Sequence, residues 1–123
     1  METNKKIRPQ LPASIMKGLH TEEEHFQNEV LRPIIKMQSD LLLLHLNAKL
    51  KTLKVDLEQL SSERKEETIA ALFLKDQSYK REVVGMVIGQ LNTDEFKGYL
   101  PMQKEVNRRI FQIVQQRCLD HIR

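Results

Sequence analysis

Apolar positions recur with helical spacing along most of the chain, and most plainly around Arg81–Leu91. At about 100° per residue, Tyr79, Val83, Val84, Met86, Val87, Ile88 and Leu91 cover roughly half of a helix's circumference. So wide an apolar arc predicts a helix in the middle of a bundle. The other side carries Ser78, Glu82, Gly85 and Gly89, at spacings i, i+4, i+7 and i+11. Two glycines inside a helix cost roughly 1.5–2 kcal/mol relative to alanine. Close approach of another helix, from this chain or from a second copy, offsets that cost. The stripe is therefore expected to be a packing groove in which Gly85→Leu destabilises by overpacking.

The rest of the chain reads as helices around this one. Thr21-Glu22-Glu23-Glu24 is a capping-box sequence, and its three carboxylates suit the positive end of a helix dipole. A long helix is expected from there to about Leu53. Phe26, Val30, Ile34, Met37, Leu41, Leu44 and Ala48 form one apolar stripe; Leu31, Ile35, Leu42, Leu46 and Leu53 form a second beside it. Pro33 removes a hydrogen bond and predicts a kink or short break. His25, Glu29, Arg32, Lys36 and Asp40 make a charged ladder, read as a solvated face.

Lys54–Ser61 reads as a connection with a turn of helix at Leu57–Leu60. Ser62 is the expected cap of a helix whose apolar side holds Ile69, Leu72 and Phe73. Asp76 caps the Arg81–Leu91 helix and Asn92 ends it. A short helix then starts at Thr93 and stops at Pro101. The last, Met102–His121, turns Val106, Ile110, Phe111, Val114, Cys118 and Ile122 inward. No segment alternates with a β period. The expected architecture is all-α: residues 1–20 are a tail, with at most one turn around Ala13–Lys17 docking Ile15 or Leu19, and 21–123 form a single-domain bundle of about five helices.

Composition narrows the chemistry. The 123 residues suffice for one core, which aliphatic side chains must fill because tryptophan is absent and aromatics are 5%. The formal charge of +3 sits at the ends: Met1–His20 and Gln103–Arg123 each carry +3, and the chain between them carries −3. That spread gives nucleic-acid binding through basic termini little support, and solvated lysines produce the same count. Cys118 is the lone cysteine, which excludes an intrachain disulfide and fits a reducing, cytoplasmic setting. Arg117 and His121 flank it and favour the thiolate, whereas its helical phase makes it a small core residue. Apolar runs such as Leu41–Leu44 are far too short to span a bilayer, and no signal-peptide core is visible.

Phe26-Gln27-Asn28, Leu31-Arg32-Pro33-Ile34, Lys36, Gln38-Ser39-Asp40-Leu41 and Gly85-Met86-Val87-Ile88-Gly89 carry a resemblance. Over Glu24–Asp120 the chain resembles a group of short all-helical bacterial proteins, mostly from the Bacteroidetes, that often carry the label "glyoxalase". The label implies a lactoylglutathione lyase-like enzyme, but the group supplies no catalytic residue to carry over. Metal-dependent enzymes of that name hold their metal on paired β-strands, and the hydrolytic ones carry a Thr-His-x-His-x-Asp-His run. This sequence has neither.

Two constellations are left as candidate sites. Glu22-x-x-His25 has the spacing of a carboxylate–histidine metal pair, yet helical two-metal sites need a second such motif, so the acidic stretch reads first as a helix start. Gln27, Gln38 and His45 share one helical phase in the gap between the two apolar stripes. They predict either a small polar pocket with His45 and Gln38 as the residues to test, or hydrogen bonds that set helix register. Phosphate-binding loops, Cys-x-x-Cys pairs and nucleophile elbows are absent, and no cofactor is implied. The expected function is protein–protein contact, as a homo-oligomer or adaptor. The labelled enzyme is the alternative.

Overall fold

The computed structural model describes residues 21–122, and the expected tail lies outside them. The protein is an all-α single-domain bundle with no strand among the described residues. The N-terminal helical run comes in segments: α1 (Glu22–Phe26), a π-helical turn (Gln27–Leu31), α2 (Arg32–Met37) and α3 (Ser39–Thr52). Then follow α4 (Ser62–Lys75), α5 (Gln77–Ile88), α6 (Thr93–Tyr99) and α7 (Gln103–Ile122). Short 3-10 turns at Leu57–Gln59 and Leu100–Met102 lead into α4 and α7.

Pro33 shapes the first run through the residues before it. Its ring crowds the carbonyl four residues back and it donates no N–H. The backbone answers with a wide turn in which the Arg32 N–H bonds the Gln27 carbonyl. The expected kink is thus a π turn, a known way to absorb one extra residue. A second interruption falls at Gln38, with φ −96° and ψ 10°. Beyond it the two apolar stripes part company. Leu42, Leu46 and Leu50 are buried, whereas Leu41 and Leu44 are 49% and 65% exposed.

Caps form where short polar side chains precede apolar periodicity. The Thr21 hydroxyl accepts the Glu24 N–H at 3.1 Å, and Asp76 Oδ1 accepts the Tyr79 N–H at 2.9 Å. The cap of α4 is Ser61 rather than Ser62. Asn92 does not close α5, which ends at Ile88 with Gly89 as its C-cap; it opens α6 in a full capping box with Glu95.

Lys54 closes α3 with φ 60°, and the Val55 N–H reaches back to the Leu50 carbonyl at 2.9 Å in a Schellman arrangement. A left-handed conformation costs a side-chain-bearing residue roughly 1–2 kcal/mol. Lys54→Gly is therefore expected to raise stability by about 0.5–1 kcal/mol after the entropic cost of glycine. Equilibrium urea denaturation reads it, and a loss of stability would contradict the assignment.

The middle of the bundle is α7, not α5. α2, α3, α4, α5 and the π turn all pack against it. Val106, Ile110, Ile113, Val114 and Cys118 are its buried face, while Phe111 and Ile122 are half-buried. α5 buries Tyr79, Val83 and Val87 but leaves Val84, Met86 and Ile88 half-buried, so only part of its wide arc meets the core.

Candidate functional site

Gln27, Gln38 and His45 take separate environments instead of forming one pocket. The Gln27 Oε1 accepts from Arg109 Nη1 of α7 at 2.9 Å. Gln38 is buried at the break before α3, and its Oε1 has no hydrogen-bond partner. His45 reaches from α3 to α5, where its Nε2 lies 2.8 Å from Glu82 Oε1. The π turn and the Gln38 break change the helical phase that the sequence reading carried straight through.

His45 belongs to a seam of stacked and polar groups. Its ring lies on that of Tyr79, 5.1 Å between centroids and 12° from parallel. Tyr79 in turn meets Phe73 edge-on at 5.2 Å. Because Glu82 accepts, the neutral ring carries its proton on Nε2 and leaves Nδ1 as a buried acceptor without a partner. The fully buried Tyr79 hydroxyl lies beside the Cys118 thiol without a hydrogen bond of good geometry. Burial raises the phenol, with the nearby thiol adding to the effect. Burial likewise pushes the Cys118 thiol up, to about 11. Arg117 and His121 do not activate it, and a thiol at that value is no nucleophile near neutrality.

The seam holds helices together. Nδ1 of His45 has the lone pair of a general base, yet it is shut inside. Lys49 extends the seam by pairing with Asp76 at 2.9 Å. That carboxyl sits below its usual range because it accepts the Tyr79 N–H and then because of Lys49. Going from His45 to Lys49 along α3 means going from Glu82 back to Asp76 along α5, so the two helices run antiparallel.

The metal candidate resolves differently. Glu22 is exposed and His25 pairs with Glu29, one turn further on, at 2.7 Å. Among the described residues there is no group of three or more side chains placed to hold a metal ion.

Ser78, Glu82, Gly85 and Gly89 do form one stripe, and all four are exposed. No helix among the described residues packs over Gly85: a Cβ built there meets nothing within 4 Å. The overpacking expected within the chain therefore gives way to open space. A Cβ on Gly89 meets only the end of its own helix, 2.9 Å from the Gly85 carbonyl. Across the His45–Glu82 seam, helical phase places Leu41, Leu44 and Ala48 on the solvent side of α3. With α3 and α5 antiparallel, Leu41 stands one turn beyond His45, toward Gly85.

This outer face combines two exposed leucines with open space over Gly85. The sequence showed its residues but not that they share a surface, because the His45–Glu82 contact joins positions 37 apart. No helix among the described residues is long and apolar enough to cross a membrane. No family model, curated protein or solved structure matches the chain.

Proposed function

We propose that this protein acts by contact with other polypeptide chains, and that its partner is a second copy of itself bound through the outer face of α3 and α5. One observation carries the reading. Projecting leucines and the uncovered backbone at Gly85 lie on the same side of α3 and α5, so a twofold axis sets the Leu41 and Leu44 of one copy against Gly85 of the other. Two leucines are a small core beside the roughly 800 Å² per partner of a standard interface, so the association is weak and concentration-dependent. The lone, buried thiol fits the cytoplasmic setting that goes with this proposal.

Sedimentation velocity from roughly 10 µM to 1 mM should show reversible dimerisation. Leu44→Asp is expected to keep the protein monomeric throughout, with its melting temperature unchanged because the side chain is already exposed. A wild-type monomer over the whole range would sink the proposal. Gly85→Leu separates the two roles of the glycine. In dilute solution it should stabilise the helix by about 0.8–1 kcal/mol, since nothing occupies the space, and at high concentration it should block association.

The labelled enzyme remains a second reading through the His45–Glu82 pair alone. Turnover of methylglyoxal and glutathione with added nickel or zinc tests it, and no rate above background retires it.

A further inference from the structure

The geometry points to an oxyanion-binding site in the cleft between the π turn and α7, suited to a small metabolite bearing a phosphate or carboxylate. The cleft holds about 510 Å³ and is lined by Gln27, Arg32, Gln112, Gln116, Arg117 and Asp120, with Ile113 also on its wall. That volume lies within the range of small-ligand sites.

Pro33 is the ultimate cause. In a regular α-helix two residues five positions apart lie about 140° from each other. The wide turn that relieves Pro33 brings Gln27 and Arg32 to one side, facing α7. On α7, Gln112 and Gln116 are four apart, as are Ile113 and Arg117, so two adjacent ridges supply the opposite wall.

The lining is rich in donors. Arg32 spends its Nε on Asn28, at 3.2 Å, and Arg117 offers one Nη to the Ser39 hydroxyl at 3.3 Å. Neither guanidinium pairs with a carboxylate among the described residues, so both keep terminal N–H groups for a ligand. Gln27 is oriented by chemistry. Arginine has no acceptor, so the atom facing Arg109 must be the Gln27 oxygen, which leaves its amide N–H groups for the cleft. Arg109 is itself held by Glu105, at 2.8 Å, and that carboxyl is lowered to about 2, first by Arg108 and also by Arg109. Among the described residues of the lining Asp120 is the one acid, and it accepts from Gln116 Nε2 at 2.8 Å. Two guanidiniums against one carboxylate leave the cleft positive, and planar guanidinium forks match the oxygens of carboxylate and phosphate.

The test is titration of the full chain with inorganic phosphate, with succinate and with chloride at matched ionic strength, followed by the side-chain Nε–H signals of arginine in NMR spectra. Saturable shifts at Arg32 and Arg117 are expected with phosphate or succinate and not with chloride. Tighter phosphate binding assigns a phosphorylated ligand, and tighter succinate binding a carboxylate one. Arg117→Gln and Arg32→Gln should each weaken binding about tenfold, the equivalent of one charge-assisted hydrogen bond. Lys97→Gln, an equal charge loss outside the cleft, should leave it unchanged. Circular dichroism melts show that each variant is folded. Linear shifts with all three anions, or equal weakening by Lys97→Gln, would overturn the site.

Discussion

Ile110→Ala is expected to cost about 3–5 kcal/mol, close to the whole stability of a small domain. Ile110 lies at the middle of α7 with no accessible surface, and Val106 and Val114, one turn to either side, are equally buried. The helices that surround α7 gather on this face, so a void here faces several elements that cannot all close on it. Packing at crystal-like density is what makes such a void costly. Equilibrium urea denaturation measures the loss, with Leu74→Ala as the control. Leu74 is 70% exposed on α4, and its truncation should stay within about 0.5 kcal/mol. A cost for Ile110→Ala near that of the control would mean that α7 is not the centre of the bundle.

Tyr79 offers the second large effect, and its two truncations should differ in sign. Tyr79→Ala removes a fully buried ring that stacks on His45 and meets Phe73 edge-on, and it is expected to cost about 3–5 kcal/mol. Tyr79→Phe keeps both ring contacts and deletes only the hydroxyl. That hydroxyl is buried without a hydrogen bond of good geometry, and such a group carries a desolvation cost of roughly 1–3 kcal/mol. Tyr79→Phe is therefore expected to be neutral or stabilising by up to about 1 kcal/mol. A thermal melt beside the wild type decides it: a clear loss of stability would show that the hydroxyl has a real partner in the Cys118 thiol. The same substitution should also bring the thiol's reaction with a disulfide reagent no closer, because the thiol itself stays buried.

Local chemistry was legible in the sequence. The cap at Thr21, the cap at Asp76 and the inward sides of α4 and α7 depend on residues within one or two turns of each other. Ile69, Leu72 and Phe73 are buried as their spacing predicts, and so are Val106, Ile110, Val114 and Cys118. Pro33 also announced a perturbation, for the steric reason that always attends it. What the backbone did in response was not legible. A kink, a break and a π turn all satisfy the same missing donor, and neighbouring packing selects among them.

The phase beyond that turn is where local reasoning ran out. Four consecutive leucines, Leu41–Leu44, point around the whole helix, so their pattern names no inward face. The Gln38 break and the seam to α5 turned Leu42 inward and left Leu41 and Leu44 in solvent. The same holds for the polar candidates. Gln27 and His45 found Arg109 and Glu82, partners 82 and 37 positions away, and no spacing rule reaches so far.

By itself the sequence determined that the chain is all-α, where most of its helices begin, and which faces of α4 and α7 are apolar, because these follow from periodicity and short-range hydrogen bonds. Only the tertiary structure decided that α7 and not α5 is the hub, that Gly85 faces open space, and that Gln27, Arg32 and Arg117 line one cleft. Those outcomes rest on which faces compete successfully for a limited interior, a contest settled between helices and not within any of them.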